Sequence, residues 1–170
     1  MLRFVRGLTI ALFLSAGACG DDGPSGPGGG NDIEDGTFEA TISGATNVTL
    51  SGLANFASVA NQGFVLTLTS TDGTGVIGVY RADAGRPGTG TLQLGDASLS
   101  TTPSYGSGIA GGSSFQSTTG VLTITRSTAG SLQGTLQFEG PGTTAGGANG
   151  NFTINATFDA TCFAIASTCD

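Results

Sequence analysis

Residues 152–160 read FTINATFDA, a strict alternation of apolar and polar side chains. Phe152, Ile154, Ala156, Phe158 and Ala160 share one phase; Thr153, Asn155, Thr157 and Asp159 share the other. Successive strand side chains point to opposite faces, so this run packs one face and wets the other. Upstream, Phe38, Ala40 and Ile42 repeat the pattern between Thr37, Glu39, Thr41 and Ser43. Phe64, Leu66 and Leu68 do so again, with Thr67 and Thr69 between and after them. Asp72-Gly73 then predicts a tight turn at positive φ, with residues 76–80 as the returning strand. Leu92 and Leu94 are expected to pair with Ala97 and Leu99 about Gly95-Asp96. Leu122 and Ile124 precede Leu132, Leu136 and Phe138, with residues 127–130 as the link.

No segment after the N-terminal region repeats apolar residues at 3.6. The expected domain, residues 36–170, is therefore all-β: an antiparallel β-sandwich or barrel of about eight to ten short strands. About 135 residues is enough for one core. Residues 102–114, rich in Gly and Ser, show no periodicity and read as a long connection. Such connections are often binding loops. Tyr105 and Ile109 are its candidate contact residues, with tyrosine well suited to contact surfaces. The alternative is that both fold back over an open end of the sheet.

The N-terminus has a different character. Arg3 and Arg6 precede an apolar run at 8–14, then Ser15, Ala16, Gly17 and Ala18 lead into Cys19. The uncharged stretch 8–18 has 11 residues, whereas a membrane-spanning helix needs about 20. A basic start, short apolar centre and small residues mark a cleaved export signal, here residues 1–18. Ending in a cysteine, it resembles a bacterial lipoprotein signal. That resemblance implies lipid on Cys19, and Gly20 after it favours the outer membrane, on its periplasmic or surface side. Ala16-Gly17-Ala18 is also an A-x-A site, which ordinary cleavage would turn into a soluble product.

Residues 19–35 follow as the lipidated cysteine and a tether, with Gly, Pro and Asp opposing helix and strand alike. As a flexible coil, residues 20–35 span roughly 20–24 Å. Two or more acyl chains on Cys19 would hold the protein firmly. With Cys19 lipidated, Cys162 and Cys169 remain of the three cysteines and are expected to form a disulfide outside the cytoplasm. The alternative is two free thiols in a loose tail.

Composition removes much chemistry. The chain contains no histidine, lysine or tryptophan. After signal removal only Arg81, Arg86 and Arg126 oppose 12 acidic residues, a formal charge of 3 − 12 = −9. Nucleic-acid binding rests on Lys and Arg at phosphates, so no nucleic-acid partner is expected. Without imidazole a Ser-His-Asp device cannot be built, and zinc sites lose their usual nitrogen ligand. No catalytic residue, metal site or cofactor is expected.

Residues 38–44, FEATISG, resemble the opening strand of an all-β bacterial lipoprotein domain family of unknown function. The family's later G-x-[LV]-x-I-T and [LV]-x-G-T-F-x-F pieces correspond to GVLTIT at 120–125 and LQGTLQF at 132–138. Leu136 stands where the family carries an aromatic. The resemblance spans most of 37–160 and implies fold and location, with no catalytic residue to carry over.

Other motifs have plainer readings. GTGVIG at 73–78 matches G-x-G-x-x-G, but its glycines form a turn entering a strand rather than opening a helix. Ser98 in GDASL lacks any histidine base. The sequons at Asn47, Asn151 and Asn155 read as coincidences of a Thr-rich sheet. Asp32, Glu34 and Asp35 lack the spacing of a calcium loop. Asp72, Asp83 and Asp96 fall in expected turns and Glu139 ends a strand. A carboxylate-dependent hydrolase acting on polysaccharide would need two of these across one bond. The expected function is non-enzymatic: a membrane-anchored binding or envelope-structural domain with a protein or carbohydrate ligand.

Overall fold

The computed structural model describes residues 33–59, 63–82, 84–99, 103–163 and 169. Residues 1–32, which hold the expected signal 1–18, Cys19 and most of the expected tether 19–35, lie outside the described residues, as do Asp83, Thr102 and Ile165. The described residues belong to the unit Asp32–Asp170. They contain no helix.

Ten strands occur among them: β1 (Thr37–Gly44), β2 (Val48–Val59), β3 (Gly63–Ser70), β4 (Gly75–Ala82), β5 (Gly90–Leu94), β6 (Ser104–Ala110), β7 (Ser113–Gln116), β8 (Thr119–Ser127), β9 (Ser131–Thr143) and β10 (Asn149–Cys162). Eight close into an antiparallel barrel in the order β1, β2, β3, β4, β6, β7, β9, β10 and back to β1. β8 pairs with β9 beside the junction with β7, and β5 pairs with β8. Of the two expected architectures, the barrel is realised.

The register fixes its shape. A row of paired residues leaves β10 at Asp159 and passes Thr37, Leu53, Thr69, Val76, Ile109, Ser114 and Thr143. It returns to β10 at Asn149. That offset of ten residues over eight strands corresponds to a strand tilt of about 40°. An eight-stranded barrel is just wide enough for side chains to fill. Phe38, Phe56, Phe64, Phe138, Phe152 and Phe158 are all buried inside it, and so is every residue of the inward phase read from 152–160.

The inward phase of β6 explains why that strand escaped detection. Its inward residues Ser104, Gly106 and Ala110 are small, and a Cβ at Gly106 would come within 2.9 Å of the Phe138 ring. Phenylalanine on β9 fills the space that a large residue on β6 would occupy, so no apolar alternation appears. Residues 104–116 are therefore not a loop but a hairpin of β6 and β7. Its turn is Gly111-Gly112, at φ 54° and 77°, the mirror-image turn geometry that suits right-twisted strands.

A second expectation is also corrected. Leu92 and Leu94 do not pair with Ala97 and Leu99; they face Leu122 and Gly120 of β8. Asp96 turns the chain instead, accepting hydrogen bonds from Ser98 N (2.8 Å) and Oγ (2.6 Å), and Leu99 is exposed. β2, which mixes Gly52, Ala54 and Ser58 into its inward phase, was not among the expected strands. The expected Asp72-Gly73 turn and the β8–β9 hairpin are present, with Gly73 at φ 70°.

On the outer wall Asp159 is exceptional, since only 3% of its side chain is accessible. Arg126 Nη2 lies 2.6 Å from its Oδ2 and Ser131 Oγ donates at 2.9 Å to Oδ1. Arg126 also reaches Asp35 at 3.6 Å, and Gly36 N donates to Asp159 O at 2.7 Å, fastening the start of β1 to the wall.

Candidate functional site

With the lumen filled by phenylalanine and leucine, the outer wall is where a ligand has room. Its two sides differ in chemistry. β1, β9 and β10 present Thr, Asn and Gln together with Glu39 and Glu139. β2, β3, β4 and β6 present rows that cross the strands in register: Leu53, Thr69, Val76, Ile109; then Asn55, Thr67, Gly78, Ser107; then Ala57, Val65, Tyr80, Tyr105. These rows carry no charge. Leu53 and Ile109 are each 57% exposed, Val76 42% and Tyr80 37%. Exposed apolar side chains gathered on one uncharged face point to an interaction site.

A depression of about 780 Å³ lies over this side, running from β4 across β6 and β7 to β9 and the start of β10. Its position follows from the strand pairing. β9 leaves β8 at Glu139 and meets β7 only at Gly142 and Thr143, so two residue pairs close the barrel there. Pro141, which has no N–H to donate, sits between the two partners. Val76, Tyr80, Ser107, Ile109, Ser114, Gln116, Pro141, Thr143 and Asn149 line the depression, over a floor that includes Phe115.

Two aromatic residues shape its β4 side. Tyr80 and Tyr105 are directly opposed across β4 and β6, with ring centroids 5.2 Å apart and 26° between planes. Gly78 is buried beneath Tyr80; a Cβ there would fall 2.8 Å from the ring. The glycine lets the tyrosine lie over its own strand, and Tyr105 braces it.

Both candidate contact residues of the sequence thus lie on this wall, on a strand rather than a loop: Ile109 lines the depression opposite Val76, and Tyr105 backs Tyr80. Sequence reasoning missed Val76, Tyr80 and Gln116. The signal was available in GVIGVY, 75–80, where large apolar residues occupy both phases of one strand.

Cys162 and Cys169 form a disulfide with Cα atoms 6.1 Å apart. Cys169 is buried, with its Sγ 3.8 Å from Phe56 O, and Phe163 N donates to the same carbonyl at 2.8 Å. The disulfide thus ties Cys169 to the last residue of β10, beside Phe56 of β2.

Three of the carboxylates considered for acid–base work, Asp72, Asp96 and Glu139, are among the described residues. Asp72 lies in the β3–β4 turn, Asp96 follows β5 and Glu139 is on β9. Hydrogen bonds from Ser70 and then Thr74 hold Asp72 below the ordinary carboxylate pKa, and bonds from the Ser98 side chain and backbone do the same for Asp96. No group of three or more metal-ligating side chains is found among the described residues. Comparison of the chain with family models, curated proteins and solved structures returns no match.

Proposed function

We propose that this chain is an exported, lipid-anchored envelope protein whose barrel binds an uncharged ligand in the outer-wall depression, without catalysis. The observation that carries the binding assignment is the depression itself. It has the size of small-ligand sites, about 300–1,000 Å³, and combines exposed apolar side chains with neutral polar ones. Export and anchoring rest on Arg3, Arg6, the short apolar run and Cys19, with Gly20 favouring the outer membrane. The disulfide supports a compartment outside the reducing cytoplasm. The resemblance of 38–44, 120–125 and 132–138 to a bacterial lipoprotein domain family points to the same location.

A general acid in a glycosidase needs a carboxyl held protonated near neutral pH. Asp72 and Asp96 are shifted the opposite way and are engaged in their own turns. The non-enzymatic reading is therefore preferred.

The test joins anchor and site. Cys19→Ser should move the protein from the membrane to the soluble fraction or stall its maturation. Tyr80→Ala/Ile109→Ala should keep membrane association but lose the partner captured by the wild-type chain from envelope extract. Normal anchoring of Cys19→Ser would refute the lipid attachment. Equal capture by the double variant would refute the site.

A further inference from the structure

We propose that the depression holds a neutral glycan lying across β4, β6 and β7, an assignment that rests on the depression being the binding site. Charge narrows the ligand first. The lining has no charged side chain, while the chain after signal removal carries 3 − 12 = −9. An acidic ligand would meet no cation there and a repulsive surrounding field. A cationic ligand would find no carboxylate within the site.

Hydrogen-bonding capacity narrows it further. Ser107, Ser114 and Gln116 line the site, and no side-chain hydrogen bond within the protein engages them among the described residues. Asn149 Oδ1 accepts from Thr143 Oγ1 at 3.4 Å, which leaves its amide N–H groups to donate. A purely apolar ligand would bury these groups without partners, and each orphaned polar group carries a penalty. A ligand rich in hydroxyls satisfies them. The same ligand must also cover Val76, Ile109 and the Tyr80 ring. Sugars do both, because their rings present C–H faces between equatorial hydroxyls. The Tyr80 ring is set in place beforehand by Gly78 beneath and Tyr105 beside it, which reduces the ordering that binding requires.

The chain supplies its own reporter. Its two tyrosines are Tyr80, which lines the site, and Tyr105, stacked against it, and the chain has no tryptophan, so tyrosine emission reports on the site's β4 side. The full-length mature chain is titrated with cellohexaose, laminarihexaose and mannohexaose as neutral probes and with polygalacturonate as the charged one. At least one neutral probe should change the emission saturably, and polygalacturonate should not. Tyr80→Ala should weaken that binding at least tenfold, read from the remaining Tyr105. Ile109→Ala, at a side chain 57% exposed and outside the tyrosine pair, should weaken it several-fold with unchanged circular dichroism.

Absence of saturation with all three neutral probes overturns the glycan assignment, as does unchanged affinity in both variants. Nile red, a neutral apolar dye, separates the two levels. Should the sugars fail while the dye binds wild type and not Tyr80→Ala/Ile109→Ala, the glycan falls and the binding site stands. Should neither probe distinguish the variant, both fall.

Discussion

Removing the Phe158 ring tests the barrel's packing most directly. Phe158 is 0% exposed on β10, flanked in register by Phe38 of β1 and Gly134 of β9. Gly134 cannot grow to fill a gap, since a Cβ there already falls 2.0 Å from Thr123 O. Phe158→Ala withdraws apolar surface worth about 2 kcal/mol in transfer free energy. It also leaves up to about 100 Å³ of void, worth roughly 2.4 kcal/mol at ~24 cal/mol per Å³ if nothing collapses. The expected loss is about 3–5 kcal/mol. For about 135 residues, an unfolding entropy of roughly 0.28 kcal/mol/K converts this to a fall in Tm of about 11–18 °C. Denaturant unfolding of oxidised protein, followed by circular dichroism, measures the loss. Thr157→Ala, one residue away on the outer phase, should lose less than about 1 kcal/mol. A loss below about 1 kcal/mol for Phe158→Ala, or equal losses for the two variants, would refute the inward phase and the filled lumen.

Three further outcomes follow from the structure. Arg126→Ala strands the Asp159 carboxylate, 3% exposed, with only Ser131 at 2.9 Å and Gln133 at 3.4 Å. Breaking a fully buried pair costs about 3–5 kcal/mol; with Arg126 itself 45% exposed, about 1–3 kcal/mol is expected on thermal unfolding. Thiol counting under denaturing, non-reducing conditions should find neither Cys162 nor Cys169 reactive. Reduction should remove about 2.5 kcal/mol or less, the loop-closure value for eight residues, while strand content is retained. Carboxyl NMR titration of Asp96 should give a midpoint below the unfolded value of about 3.9. Because the folded pKa is depressed, the turn's contribution to stability is present above that unfolded value and is lost as pH falls through the folded one.

How much of this was legible in the sequence varied by element, for a physical reason. β1, β3, β9 and β10 carry large apolar residues on their inward phase, so period two identified them and their buried sets. The Asp72-Gly73 turn and the cysteine pair were likewise local, being set by φ > 0 at one glycine and by a seven-residue separation. β6 was not legible. Its inward Ser104, Gly106 and Ala110 make sense only once Phe138 arrives from a strand more than twenty residues later. The same distance in sequence hid the pairing of β5 with β8, which local turn signals at Gly95-Asp96 argued against.

The site divides along the same line. Sequence singled out Tyr105 and Ile109 as unusual side chains in a Gly- and Ser-rich run, and alternation alone determined an all-β domain with one wet face. That the sheet closes with an offset of ten residues emerges from pairings between strands far apart in the chain. Closure fills the lumen with rings, excludes ligand from it, and sets Tyr80 against Tyr105 and Val76 against Ile109 on the outer wall. Register between non-adjacent strands is a property of the closed barrel, and no local pattern in the chain encodes it.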